Sequence, residues 1–116
     1  MGGGTAKISA SGTVTLSEPQ ERITIQHNLG VVPQIVKIWC DEDNTAVGTY
    51  SQTAIYLKEA TAISSNYRYA EGRGFSSSCV GPKENNETET VFNNSASSRP
   101  WMAGVTYYWE VYAGIQ

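Results

Sequence analysis

The stretch VTYYWEVYA, residues 105–113, decides the fold class of this chain. Alternate residues of it form one apolar and aromatic row made of Val105, Tyr107, Trp109, Val111 and Ala113. The intervening row contains Tyr108, Glu110 and Tyr112. Successive side chains of a β-strand point to opposite faces of a sheet, and β-branched and aromatic residues favour such a pleated surface over a helix. The stretch therefore predicts a strand that buries its first row.

Seven further segments are predicted to be strands, and the alternation is plain in residues 7–16 and 22–27. The seven segments cover residues 7–16, 22–27, 34–40, 46–50, 53–64, 67–75 and 87–92. Segment 34–40 is apolar on both faces, as expected of a central strand, whereas 53–64 also contains good helix formers and is interpreted as a strand on its alternation. Residues 81–86 and 93–100 are polar and rich in turn formers, which predicts loops.

These segments predict an all-β fold, an antiparallel β-sandwich of about seven or eight short strands, because no helical pattern is available for parallel crossovers. The length of 116 residues suits one domain spanning residues 1–116, and we expect residues 1–4 to form a flexible start. Eight basic and eleven acidic residues without a like-charged run argue against a nucleic-acid partner. The short apolar runs argue against membrane insertion, and the glycines after Met1 do not resemble a signal peptide.

No catalytic residues are predicted. A serine or cysteine nucleophile needs a base, and the only histidine, His27, precedes a turn that we expect it to stabilise by hydrogen bonding. Carboxylates that could meet for glycoside hydrolysis remain an alternative, and they are Glu59, Glu71, Glu87 and Glu110. The prediction is a chain that is not an enzyme.

Metal and cofactor sites are not predicted either. The chain lacks a closely spaced pair of zinc ligands. The acidic stretch 41–44 indicates a solvated turn, because Ala46 and Gln52 stand where a calcium-binding loop needs glycine and glutamate. Cys40 lies in an apolar segment and is predicted to be a buried free thiol. A disulfide between Cys40 and Cys79 is the less favoured alternative, because without a secretory signal the expected compartment is reducing.

Aromatic residues are the most informative material for function. Seven tyrosines and three tryptophans are many for a small domain, and such rings suit protein interfaces or sugar faces. We expect Trp39, Trp109 and Tyr107 to be structural. Ligand or partner contact is predicted for Tyr67, Arg68, Tyr69 and Arg73, with an ordinary strand face as the alternative.

Two motifs together resemble a recurring bacteriophage module. HNLGVVP, residues 27–33, runs into the strand QIVKIW, residues 34–39, and MAGVTYYWEVYA, residues 102–113, is similar to the closing strand of the same proteins. Small phage tail and tail-fibre β-domains and H-type lectin-like domains carry such segments. Gly30 and Gly104 are suited to the tight turns beside these strands because glycine tolerates positive φ.

The resemblance implies a non-enzymatic structural protein of a phage tail, fibre or related appendage, located in the virion and assembled in the host cytoplasm. Its implied partners are further copies of itself, in a trimer or hexamer, and other virion proteins. Attachment to a host-surface glycan would be an additional role. The alternative function is a carbohydrate-binding, lectin-like module of a surface protein or enzyme.

Overall fold

The computed structural model describes residues 9–40, 52–57, 67–72, 75–76, 78–95 and 101–113, and within these ranges the chain forms nine strands and no helix. The strands are β1 (Ala10–Thr15), β2 (Arg22–Gln26), β3 (Ile35–Cys40), β4 (Gln52–Leu57), β5 (Tyr67–Gly72), β6 (Phe75–Ser76), β7 (Val80–Asn85), β8 (Glu89–Asn94) and β9 (Thr106–Tyr112). None of the described residues belongs to a helix that could span a membrane.

The strands form two antiparallel sheets. One has six strands in the order β1-β9-β3-β4-β5-β6, and the other has three in the order β2-β8-β7. Both sheets contribute side chains to a single core cluster, so the two are packed face to face. The predicted all-β antiparallel sandwich is confirmed.

The core lies between the two sheets. β9 contributes Tyr107 and Val111, both fully buried, and Trp109 packs partly buried against the same cluster, which confirms the predicted inward row. The other buried apolar residues of the cluster are Ile23, Ile25, Val36, Ile38, Cys40, Ala54, Tyr56, Ala70, Val80, Phe92, Trp101 and Val105. Burial of this set removes these apolar side chains from water and stabilises the sandwich.

Trp101 is the central aromatic residue of the core, and the sequence pattern did not identify it. Its side chain is fully buried, with its ring centroid 5.4 Å from that of Tyr107 in an edge-on arrangement and 6.3 Å from that of Phe92. It precedes β9 and joins the sandwich through a single antiparallel bridge to Gln20, so no strand alternation marks it in the sequence.

A buried polar network crosses this core. The Tyr107 hydroxyl donates a hydrogen bond to Gln52 Oε1 at 2.7 Å and accepts one from the Met102 backbone N–H at 3.0 Å. The Cys40 thiol also donates to Gln52 Oε1, at 3.6 Å. Gln52 is only 1% exposed, and these contacts satisfy its side-chain carbonyl in a setting where an unsatisfied polar group would be costly.

The loop prediction for residues 81–86 is wrong, and the one for residues 93–100 is wrong at its first two residues, while residues 96–100 lie outside the described ranges. Residues 81–86 belong largely to strand β7, and Asn93 and Asn94, predicted to begin a loop, end β8. β7 lies at the edge of its sheet and has a register irregularity between Pro82 and Glu84. An edge strand tolerates glycine, proline and charged residues because one side of its backbone needs no partner, and such a composition resembles that of a loop.

The remaining strand predictions hold where the structure describes them. Segment 53–64 is a strand through Leu57, with Tyr56 inward, whereas segment 46–50 lies outside the described residues. β3 is central, as predicted, but only its alternate residues Val36, Ile38 and Cys40 are buried. Trp39 lies in the half-buried row on the other side, so the expectation that both faces of this strand are covered is wrong.

Candidate functional site

The outer face of the six-stranded sheet, which points away from the three-stranded sheet, presents aromatic and aliphatic side chains next to the polar row of β1. Strand register places Thr13 opposite Tyr108, Tyr108 opposite Trp39, and Trp39 opposite Thr53. The next rows extend this surface across β9, β3, β4 and β5. We call these residues the outer face: Ile35, Lys37, Trp39, Thr53, Ile55, Leu57, Tyr69, Glu71, Tyr108, Glu110 and Tyr112.

An aromatic pair lies near the middle of the outer face. The ring centroids of Trp39 and Tyr108 are 5.8 Å apart with an angle of 31° between the ring planes. Tyr108 is 37% exposed and Trp39 is half-buried. The Lys37 ammonium lies 4.7 Å from the Trp39 ring centroid, which is within the range of a cation–π interaction. The pair therefore forms a shallow, solvent-accessible platform with a positive charge at one side.

A carboxylate and a phenol hydroxyl lie one row along from this pair. The Tyr112 hydroxyl donates a hydrogen bond to Glu110 Oε1 at 3.0 Å, and Glu110 stands directly opposite Lys37 in the strand register. Burial, the hydrogen bond to Glu110 and the negative charge of Glu110 all raise the pKa of Tyr112, so the phenol stays protonated. The Glu110 carboxylate, the Tyr112 hydroxyl and the Lys37 ammonium thus lie along one side of the aromatic pair.

The predicted contact residues fall partly on this surface. Register pairs Tyr67 with Leu57, Arg68 with Tyr56 and Tyr69 with Ile55. The Tyr69 hydroxyl donates to Glu71 Oε1 on the outer face. The side chains of Tyr67 and Arg68, together with all of Arg73, lie outside the described part of the structure, so for these three the contact role stays a prediction.

The turn after β2 shows the role predicted for His27. The Leu29 backbone N–H donates to His27 Nδ1 at 3.2 Å, next to Asn28 with a φ of 52° and Gly30 with a φ of 85°. His27 is 7% exposed, and its Nε2 has no hydrogen-bond partner in the described ranges. Burial lowers the pKa of His27 by more than the neighbouring Glu89 raises it. The neutral imidazole therefore stabilises the turn.

Backbone contacts fix this turn against the β7–β8 hairpin. The Thr88 carbonyl accepts hydrogen bonds from the backbone N–H groups of His27 and Asn28, and the Glu87 carbonyl accepts one from Gly30. His27 is thus a structural residue of the turn, and the HNLG motif serves to join β2 to the approach of β3.

Cys40 and Cys79 are not joined by a disulfide; the Cys40 thiol is buried, as predicted, and the Cys79 thiol is half-buried. Cys79 instead contacts Ser76, whose hydroxyl oxygen lies 3.2 Å from its sulfur. Over the described ranges, no group of three or more histidine, cysteine, aspartate or glutamate side chains is placed to hold a metal ion. The acidic residues 41–44 lie outside those ranges.

Sequence reasoning did not identify the aromatic pair as a surface feature. The signal was present, because Lys37 shares a row of β3 with Trp39, and a lysine in the middle of a strand indicates that its row reaches solvent. Comparison of the chain with protein-family models, with curated proteins and with solved structures found no match in any of the three.

Proposed function

We propose that this chain is a non-enzymatic structural protein of a bacteriophage virion, from a tail, fibre or related appendage, and that it works by self-association through the outer face. The phage assignment rests on the resemblance of residues 27–39 and 102–113 to phage tail and tail-fibre domains. The assembly role is supported by one observation, the half-exposed aromatic and aliphatic surface of the six-stranded sheet. Other virion proteins, or a receptor on the host surface, would be further partners of the same appendage.

The composition of the outer face differs from that of other exposed rows in the same molecule. The exposed row of β1 consists of Ser11, Thr13 and Thr15, as expected where an antiparallel sheet meets water. In contrast, the outward row of β3 contains Ile35 and Trp39 on either side of Lys37. Three neighbouring strands carry such residues, so the apolar character is a property of the surface and not of one position.

The chemistry of the aromatic pair suits a protein interface. Tyrosine and tryptophan supply large contact areas with few rotatable bonds and are enriched at the energetically dominant positions of interfaces. Trp39 is already positioned by its contacts with Tyr108 and Lys37, so little conformational freedom would be lost on association. Truncation of such a residue typically costs about 2 kcal/mol of binding free energy, or roughly 30-fold in the dissociation constant.

Light scattering on the purified chain at several concentrations tests the assembly role. We expect the unmodified chain to have the mass of a trimer or hexamer, and we expect Trp39→Thr to shift dissociation to roughly 30-fold higher concentration. Threonine keeps the strand preference, and Thr24→Ala on the exposed row of β2 is the matched control. A monomer at every concentration, or an oligomer indifferent to Trp39→Thr, would contradict this use of the outer face.

The second candidate function is a carbohydrate-binding module, and the platform formed by Trp39 and Tyr108 is the observation that favours it. Sugar rings stack on aromatic faces while their hydroxyls bond to adjacent polar groups, here Glu110 and Tyr112. A glycan array with the unmodified chain and the Trp39→Thr variant separates the two functions. Binding that is lost in the variant, together with a monomeric mass, would favour the carbohydrate role.

A further inference from the structure

The described strands form four sheet edges, which are protected to different degrees. β6 has only two residues, β7 combines Pro82, Lys83 and Glu84 with a register irregularity, and β2 exposes Arg22. Short edges, prolines, bulges and charges are the devices by which proteins prevent edge-to-edge pairing. In contrast, β1 (Ala10–Thr15) has the sequence ASGTVT, which contains no charge and no proline, and its pairing with β9 is regular throughout the strand.

β1 also has an available edge. Among the described residues it pairs only with β9, and it is the terminal strand of the six-stranded sheet. Three of its six residues are threonine or valine, which favour extended backbone. A six-residue strand of this composition, whose second side has no strand partner within the described ranges, presents a template for one more strand.

We propose that β1 pairs antiparallel with β1 of a second copy of this chain across a twofold axis, which joins two six-stranded sheets into one continuous sheet. This inference rests on the proposed assembly role and adds an interface distinct from the outer face. The occupant is a second copy because the strand is complementary to itself. No charged residue opposes another in the pairing, and residues 11–15 each face a small or β-branched residue.

The side-chain alternation of β1 requires the twofold axis to pass through a residue position, and Gly12 and Thr13 are the two residues at the middle of the strand. Residues opposite each other in an antiparallel pair lie on the same face of the sheet, so each exposed residue must meet another exposed residue. An axis at Thr13 satisfies this requirement: it places Thr13 opposite its own copy, Ser11 opposite Thr15, and Gly12 opposite Val14. Cross-strand hydroxyl pairs of this type are favourable. An axis at Gly12 would set two glycines together at the centre, where no side chains could pack.

The twofold symmetry of the β1–β1 contact restricts which of the expected oligomers can contain it. A simple trimer contains no twofold axis, whereas a hexamer of two trimers contains three. Pairing through β1 therefore selects the hexamer. Such a strand pair is small compared with a standard interface of roughly 1,600 Å², so it contributes to assembly in addition to the outer face and not in its place.

Disulfide trapping tests the edge pairing. In a Cys79→Ser background, Thr13→Cys brings two thiols together at the axis, where paired Cα atoms are roughly 4.5–5.5 Å apart, within the range that a disulfide spans. Under mild oxidation we expect at least tenfold more covalent dimer than for the matched control Thr24→Cys on the exposed row of β2, measured by non-reducing electrophoresis. Ser11→Cys and Thr15→Cys should cross-link when mixed, but not singly.

The cross-linking and light-scattering results together distinguish pairing through β1 from association through the outer face. If Thr13→Cys cross-links no more than the Thr24→Cys control, or if Ser11→Cys cross-links by itself, the proposed pairing is wrong. If light scattering of the unmodified chain then still shows an oligomer, the assembly role stands without β1. If the unmodified chain is monomeric as well, both proposals fail. Circular dichroism of the cysteine variants establishes that each retains the β-fold.

Discussion

Replacing Gly12 with alanine should force the Trp109 side chain to move. The two residues are opposite each other in the β1–β9 register. A Cβ atom at Gly12 would lie 2.6 Å from Trp109 Cζ2 and 2.9 Å from Cε2, whereas favourable carbon contacts begin near 3.5 Å. Trp109 packs against the core cluster, so its indole cannot give way without losing contacts there. The glycine is thus required by the close approach of the ring.

Two opposing effects set the magnitude of this change. Overfilling a packed site costs about 1–3 kcal/mol, while alanine is favoured over glycine within a strand by about 0.5–1 kcal/mol. The expected net loss for Gly12→Ala is therefore about 1 kcal/mol in the free energy of unfolding. Urea unfolding followed by tryptophan fluorescence would show it as a fall of roughly 0.5 M in the midpoint.

Two controls identify the contact with Trp109 as the cause. Ser11→Ala changes the adjacent, exposed position and should alter stability by less than about 0.5 kcal/mol. In a Trp109→Val background the indole is gone, so Gly12→Ala should become stabilising by about 0.5–1 kcal/mol. A Gly12→Ala chain that is as stable as the unmodified one, with no change of sign in the Trp109→Val background, would refute the reasoning.

Two further predictions concern buried polar groups. Tyr107→Phe removes the hydroxyl that bonds to Gln52 Oε1 and should lower the free energy of unfolding by about 1–3 kcal/mol in urea titrations, whereas Tyr108→Phe on the outer face should change it by less than about 0.5 kcal/mol. Because burial lowers the pKa of His27 below its ordinary value of 6.5, the unfolded chain takes up a proton first, and stability should fall as the pH drops from about 7.5 to about 5.5. His27→Asn should flatten this dependence in thermal unfolding; an equal loss in both chains would assign the effect to other groups.

The strands of the sandwich could be predicted where alternation is strong. β2 and β9 bury residues of one row, β1 half-buries one row, and the sequence displays these rows directly. β7 was predicted to be a loop because an edge strand needs a hydrogen-bond partner on only one side of its backbone. It therefore tolerates glycine, proline and charged residues, which also characterise loops. Trp101 was missed for a different reason: a single bridge holds it in the core, and its burial depends on tertiary packing that no local pattern encodes.

The prediction for Trp39 failed in a way that bears on function. Composition favours burial of a tryptophan in a central strand, yet strand register gives the buried side of β3 to Val36 and Ile38 and leaves Trp39 with Lys37 outside. Positions where prediction from sequence fails tend to be functional, because a residue that does not contribute to the folding pattern is often present for binding or catalysis. Core stability does not require a large aromatic side chain on this side of the sheet. The Trp39→Thr variant therefore separates the two roles, because it should weaken association through the outer face while the packing between the sheets remains intact.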